Sequence, residues 1–456
     1  MYQGKECMQA IEQVLNAGNL TRACYKVIHN KGAAGINKMS VKELKDYLDK
    51  NRAKLSELIR SGGYIPQPVR GKEIPKNNGK KRLLGIPTVI DRMLQQAVCR
   101  VIMPQFEYMF SDYSFGFRPQ RNTLQAVTKS LEYINSGYQY IVDIDLKGFF
   151  DEVDHCLLME LLYRKVKCPQ TLQLIRRWLR APIWQNGKLI KRRKGVPQGS
   201  PISPLLSNIM LHELDKEMEN RQLRFVRYAD DFSIYCKSKE EARNIGNSIY
   251  IFLRGKLKLP INREKSGIRR PINFKILGYG FVPTYRKGEK GKYQLVVEDS
   301  RWKVLKAKLK EITCKTTPMS FDERVQKLKE VHRGWINNFR LASMLDKLKE
   351  LDGWIRNRLR YCIWHHWKKP ERKRKNLIIL GVSPDSAYAW SRSRMGGWAI
   401  AQSPILGTTI TIERLIKRNY EPLVPWYIKV SPLYKTPILF PLSDEQPYTR
   451  PVCAVV

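Results

Sequence analysis

No C-x-x-C pair occurs in the chain, and its nine cysteines, at positions 7, 24, 99, 156, 168, 236, 314, 362 and 453, are scattered and odd in number. A disulfide framework or a zinc site is not expected. Nothing approaches eighteen consecutive apolar residues, and the opening "MYQGKECMQAIEQV" has no signal-peptide core, so neither membrane insertion nor secretion is expected and a cytoplasmic protein is. Acid is scarce too: 42 aspartates and glutamates stand against 83 lysines and arginines, a net charge of +41 spread over most of the length. Such a surplus repels itself in a compact state unless a polyanion neutralises it, and nucleic acid is the obvious candidate. With 43% apolar and 10% aromatic residues, the 456-residue chain has material for substantial cores and is more than a charge sponge.

Residues 5–60 read as short amphipathic helices, broken at "NKGAAGIN", where small residues and Gly35 mark a loop. From about 61 to 125 the texture is a basic, proline-punctuated ribbon, "IPQPVRGKEIPKNNGKKRLLGIPT", with a hairpin turn at the "NNG" of 77–79. A second ribbon, "IWQNGKLI", turns at Asn186 and Gly187. Strands and helices mix over 126–282. Past the exposed basic turn "YRKGEKGKYQ" (285–294), residues 300–370 are helical in pattern. Residues 301–380 hold 22 lysines and arginines against 8 acids, with tryptophans interleaved. In "LDGWIRNRLRYCIWHHWKK", Arg356 and Arg360 share one helix face, while Trp354, Leu359 and Trp364 supply a buried one. A solvated charged face and a nucleic-acid contact fit this segment equally well; the overall charge favours contact.

The chemistry starts in "RFVRYADDFSIYCK", residues 224–237. Phe225, Val226 and Tyr228 lead into a bend at Asp230 and Asp231, and Phe232, Ile234 and Cys236 alternate out of it, the pattern of a β-hairpin. Taken alone, the two aspartates suit a solvated turn or a metal site. A third carboxylate is available in "YIVDIDLKGFFDEVDH", where alternation puts Val142, Ile144 and Leu146 on one strand face and Asp143 and Asp145 on the other. If this strand pairs with the hairpin, Asp145 meets Asp230 and Asp231, and three carboxylates that close repel strongly unless divalent cations sit among them. Oxygen ligands of this kind suit magnesium, and two such ions can drive a nucleotidyl transfer. In "GVPQGSPISPLLSN", Ser203 and Pro204 read as N-cap and first helical residue, with Leu206, Met210, Leu214 and Met218 along one buried face.

These stretches, with "IPKNNGKKRLLGIPTVIDRMLQQA", "SFGFRPQRNTLQA", "LPINREKS" and "FKILGYGF", resemble in order the reverse transcriptases, or maturases, encoded by bacterial group II introns. The resemblance implies an α+β right-hand polymerase: an N-terminal helical extension (1–60), fingers and a ferredoxin-like palm (61–290), a mostly helical thumb (291–380) and a small DNA-binding-like region with a tail (381–456). It implies RNA-directed DNA polymerase activity with two Mg2+ ions, and as partners group II intron RNA, an RNA template with DNA primer, target DNA and deoxynucleotides. The metal ligands fall on Asp145, Asp230, Asp231 and the backbone at Ile144, with Asp143 structural or outside the metal shell. Phe149, four residues past Asp145, then stands where its ring excludes a ribose 2′ hydroxyl; core packing is the plain alternative. Pro197, Gln198 and Gly199 form the bend beneath the incoming base pair. Lys76 and Arg82 are the choice for gripping the triphosphate. Lys265 matches a lysine that protonates pyrophosphate, a surface lysine being the alternative. Arg118, Arg356, Arg358 and Arg360 are the candidates for nucleic-acid contact. With no zinc-endonuclease segment of paired cysteines found, the resemblance is to the shorter class C-like members. A host-adopted reverse transcriptase is an alternative reading. So is a splicing factor without polymerase activity, against which the intact aspartates and Gly199 speak.

Overall fold

Helix 1 of the first unit begins where Asn16 turns its side chain back to accept from the amides of Gly18 and Asn19, two of the donors a helix start leaves unpaired. The structure, a computed structural model, describes residues 10–75, 81–285 and 291–434 and divides between Arg270 and Pro271 into two units. In the first, α1 (Ala17–His29) and α2 (Leu44–Arg60) are the expected amphipathic helices, interrupted across the Gly35 loop. β1 (Val69–Pro75) and β2 (Lys81–Ile86) form the expected basic ribbon, Pro75 opposite Lys81; the "NNG" turn lies outside the described residues. The ribbon texture, however, ends sooner than the prolines suggest. Thr88 caps α3 (Val89–Glu107), accepting from the Asp91 amide, and this helix packs on α1. Asp91 in turn accepts from the Thr88 and Tyr64 hydroxyls and the Trp178 indole, so a buried carboxylate anchors the helix start.

α4 (Thr123–Asn135) starts with a reciprocal capping box between Asn122 and Gln125. β3 (Tyr140–Ile144) follows, then α5 (His155–Tyr163) and α6 (Pro169–Arg180). β4 (Ile183–Gln185) and β5 (Lys188–Ile190) turn at Asn186 and Gly187, both in the left-handed region at φ 49° and 78°, the tight turn that Asn-Gly favours. β4 lies parallel to β1, so the two basic ribbons join in one sheet of order β2-β1-β4-β5.

α7 (Ser203–Asn220) buries Leu206, Met210, Leu214 and Met218 as expected. Each such side chain removed from water contributes about 1.5–3 kcal/mol. The expected Ser203 cap is not made: Ser203 lies inside the helix, Ile202 precedes it without a side-chain cap, and the Ser203 hydroxyl donates to the Pro197 carbonyl at 2.7 Å. A hydroxyl that can close the preceding bend competes with capping. β6 (Arg224–Tyr228), β7 (Asp231–Cys236), α8 (Lys239–Gly255) and β8 (Gly267–Arg269) complete the unit. Its second sheet is antiparallel throughout in the order β6-β7-β3-β8, with helices between β3 and β6 and between β7 and β8. This is the ferredoxin-like β-α-β-β-α-β arrangement, and the α+β class holds.

The second unit opens with a three-stranded sheet, β9 (Lys275–Ile276), β10 (Tyr279–Pro283) and β11 (Tyr293–Val297), in the order β11-β10-β9. Three long helices follow, α9 (Asp299–Ile312), α10 (Phe321–Phe339) and α11 (Leu345–His366), then α12 (Pro370–Ile379). Residues 384–430 form five short helices, of which Gly397–Gln402 packs on α11 and Leu423–Val430 on both α10 and α11. Asp352 holds the start of the last of them, accepting from the Tyr420 hydroxyl at 2.6 Å and the Leu423 amide at 3.2 Å. Among the described residues no helix is long and apolar enough to cross a membrane.

Candidate active site

Register decides which carboxylates meet. Ile144 on β3 lies opposite Phe232 on β7, and Tyr228 on β6 lies opposite Asp231, so Asp145, one residue past the end of β3, leaves the sheet level with Asp231. Asp230 sits in the two-residue turn between, after Ala229, which holds φ at 59° although it is not glycine. Asp231 opens β7 with an exposed side chain, yet the surrounding protein desolvates its carboxyl and pushes it up to about 6, and the charges of Asp230, Asp145 and Asp143 add to the rise while Lys265 opposes it. Asp230 is also raised, by burial first. Asp143 is partnered, its carboxylate accepting from Arg269 Nε at 2.8 Å, as suits a structural role. Ile144 is buried and its side chain faces the core.

Asp145 is oriented by residues of the segment before β8. The Asn262 side chain donates to Asp145 Oδ2 at 2.9 Å, the Asn262 amide donates to the Asp145 carbonyl at 2.8 Å, and the Asp145 amide donates to Ser266 Oγ at 3.0 Å. Lys265 Nζ lies 3.8 Å from the same carboxylate, on a side chain that is 61% exposed. Sequence reasoning singled out Lys265 and passed over Asn262 and Ser266; the available signal was their place beside it in "LPINREKS".

The bend at 197–199 is clamped to β2. Gln198 accepts from the Gly85 amide at 2.8 Å through its carbonyl and from Arg82 Nε through its side chain. Gly199, at φ 104°, would bring a Cβ to 3.0 Å from the Gly85 carbonyl, so what approaches closely here is the neighbouring strand. Pro197 is buried, its carbonyl taken by Ser203. The positive charge of Arg82 reaches Asp230, so ribbon, bend and aspartates form one constellation. Lys76 lies outside the described residues. Phe149 is 2% exposed and meets Phe150 edge-on, ring centroids 5.3 Å apart, within the core.

Among the described residues no three His, Cys, Asp or Glu side chains stand close enough to enclose a metal on their own. The aspartates feel one another's charge without closing a cage. An all-oxygen, open donor set of this kind fits a hard cation that takes its other ligands from water and phosphate, as magnesium does.

Residues 74–281 match the family model for reverse transcriptase (RNA-dependent DNA polymerase), and residues 302–378 match that for the group II intron maturase-specific domain. The chain is 33% identical over 294 residues to the group II intron-encoded protein LtrA of Lactococcus lactis subsp. cremoris, across 50% of this chain and 49% of LtrA. It is also 33% identical over 281 residues to Protein YkfC of Escherichia coli (strain K12), across 53% of this chain and 73% of YkfC. The chain belongs to the group II intron-encoded reverse transcriptase and maturase family. A putative COX1/OXI3 intron 2 protein of Saccharomyces cerevisiae is 28% identical over 329 residues, across 58% of this chain and 38% of that one. This chain spans about half the length of LtrA.

For a family that handles RNA, the arginines expected to contact nucleic acid turn out differently from one another. Arg118 is buried, paired with Glu107 at 2.9 Å and donating to the carbonyls of Ser114 and Glu107. Arg358 donates to the Thr313 hydroxyl at 3.0 Å and to the Lys310 and Thr313 carbonyls. Arg360 donates to the Ile410 and Gly407 carbonyls and to Asn357. These three also brace the fold, a role the sequence reading did not anticipate, because a carbonyl acceptor has no signature in sequence. Arg356 has no hydrogen-bond partner among the described residues and remains a candidate contact.

Proposed function

We propose that this chain is an RNA-directed DNA polymerase that extends a DNA primer along an RNA template with deoxynucleotides, and that it binds a group II intron RNA, assisting its splicing and, at target DNA, its retrohoming. The observation that carries the reading is the meeting of Asp145 with Asp230 and Asp231 at one end of the palm sheet. These carboxylates, with the backbone oxygen of Ile144, are the ligands for two magnesium ions. When bound, those ions supply positive charge that activates the primer 3′ hydroxyl and neutralises the departing pyrophosphate. Asn262 and Ser266 hold Asp145 at one angle so that its oxygens face the reacting phosphate. Arg82 and Lys76 grip the triphosphate, Gln198 fixing the direction of the Arg82 fork. Lys265 gives a proton to the pyrophosphate, a role supported by its position beside Asp145. Pro197, Gln198 and Gly199 carry the nascent base pair, and Phe149 bars a 2′ hydroxyl. The place of work is the bacterial cytosol.

Primer extension on an RNA template with magnesium and deoxynucleotides tests this. Asp230→Ala is expected to lower extension by at least about 10³-fold while leaving RNA binding intact. Extension near the unmodified rate would remove Asp230 from the site, and absence of extension by the unmodified chain would leave only the splicing role.

A further inference from the structure

Arg227 is fully buried on β6 and forms a bidentate pair with Asp215 of α7, Nε to Oδ1 at 2.7 Å and Nη2 to Oδ2 at 2.5 Å, both side chains at 0% exposure. Buried ion pairs are seldom kept for stability alone, because well-packed apolar residues of the same volume often serve as well. This one has a third engagement. Arg227 Nη1 donates to the Ala229 carbonyl at 2.9 Å and to Asn208 Oδ1 at 3.0 Å. Ala229 is the left-handed residue that precedes the two aspartates, a backbone state that a residue with a Cβ adopts only when its surroundings impose it.

The opposite side of the turn is held as tightly. The segment around "SFGF" runs beside β6, the Arg227 amide donating to the Tyr113 carbonyl at 2.9 Å and the Phe115 amide to the Arg227 carbonyl at 2.8 Å. This brings Gly116 against the turn so closely that a Cβ on it would lie 2.2 Å from the Ala229 nitrogen. Asn208 ties the two sides together, since its side chain also donates to the Gly116 carbonyl at 2.9 Å. Asn208 and Asp215 are seven residues apart on one helix, two turns, and so present a single face.

We propose that Arg227 is a positioning residue for nucleotidyl transfer: with Asp215, Asn208 and Gly116 it locks the Ala229 turn in the one conformation that presents Asp230 and Asp231 together. Arg227 bonds to neither aspartate and acts through the backbone between them and itself. The proposal rests on the polymerase reading for its catalytic consequence, but the locking itself does not.

The test is the paired replacement Arg227→Met with Asp215→Leu, which leaves no buried charge alone. The full chain is measured by thermal melting, by hydrogen exchange of the peptide spanning 226–232, and by kcat and KM for deoxynucleotide in primer extension. The expected result is a parent-like melt, turn amides exchanging at least about tenfold faster, and kcat lower by about 10²-fold with KM within about twofold, since a misplaced group costs rate and not affinity. Parent-like exchange together with parent-like kcat overturns the proposal, as does a change confined to KM. Faster exchange in a chain whose unmodified form extends no primer supports the lock and sinks the polymerase reading alone. If the pair variant does not fold, Gly116→Ala, which leaves the ion pair in place, is expected to give the same loss of kcat; a folded Gly116→Ala protein with parental kcat overturns the proposal.

Discussion

Two regions of this protein gather charges of one sign and treat them in opposite ways. Where β3 ends and β7 begins, Asp145, Asp230 and Asp231 are drawn together; among the described residues only Lys265 comes close enough to pair with Asp145, and the Asp231 carboxyl is raised toward neutrality, to about 6. On α11, Arg358 and Arg360 direct donors to the protein's own carbonyls. Like charge kept uncompensated at a cost marks a place that waits for a ligand, whereas charge that is fully engaged marks architecture.

The comparison breaks most visibly at the aspartates. Asp231→Asn is expected to abolish at least about 10³-fold of primer extension while raising the melting temperature in the absence of divalent ions. The sign follows from the raised carboxyl: its folded value of about 6 lies above the ordinary 3.8, so the ionised group at pH 7 weighs against the folded state, and an amide removes that penalty. A lower melting temperature would show that the carboxylate is structural after all.

Arg360→Ala should do the reverse. Leaving the Ile410 and Gly407 carbonyls without their donor is expected to cost about 2 kcal/mol in urea denaturation with the salt dependence of RNA binding unchanged; a loss of RNA affinity at parental stability would return Arg360 to the contact surface.

His212, packed edge-on against Phe110 with neither ring nitrogen bonded among the described residues, shows how the same interior handles a group that can shed its charge. Burial takes it from 6.5 down to about 4. The unfolded chain then binds the proton first as pH falls, so its contribution is intact above about pH 6.5 and is lost progressively toward pH 4, by at most about 3 kcal/mol. His212→Phe should flatten that part of the stability profile, and an unaltered profile would assign the acid sensitivity elsewhere. The smallest effect belongs to Arg356→Ala, which should reduce the slope of log affinity against log salt by about one if that side chain meets a phosphate; an unchanged slope would leave the RNA surface to other cations.

Much of this was legible in the residues because it depends on local periodicity. The alternation of 140–146, the hairpin around Asp230 and Asp231, and the Asn186–Gly187 turn are properties of a few neighbouring positions, and all three stand in the structure. α3 was hidden because Pro87 and Pro104 flank and interrupt it, and proline punctuates ribbons as readily as it opens helices. Ser203 was misread because its hydroxyl found a nearer acceptor in the Pro197 carbonyl than in its own helix.

The sequence by itself determined the α+β class and the strand and hairpin that carry Asp145, Asp230 and Asp231, since hydrophobic period and residue spacing specify which face of a strand or helix is buried. Only the tertiary structure decided which charges are free. Whether an arginine can meet a phosphate depends on whether a carbonyl or carboxylate about 10 to 50 positions away comes within hydrogen-bonding distance, and chain folding, not local pattern, sets that distance. Arg118, Arg227, Arg358 and Arg360 found such partners; among the described residues no lysine or arginine comes within ion-pair distance of Asp230 or Asp231.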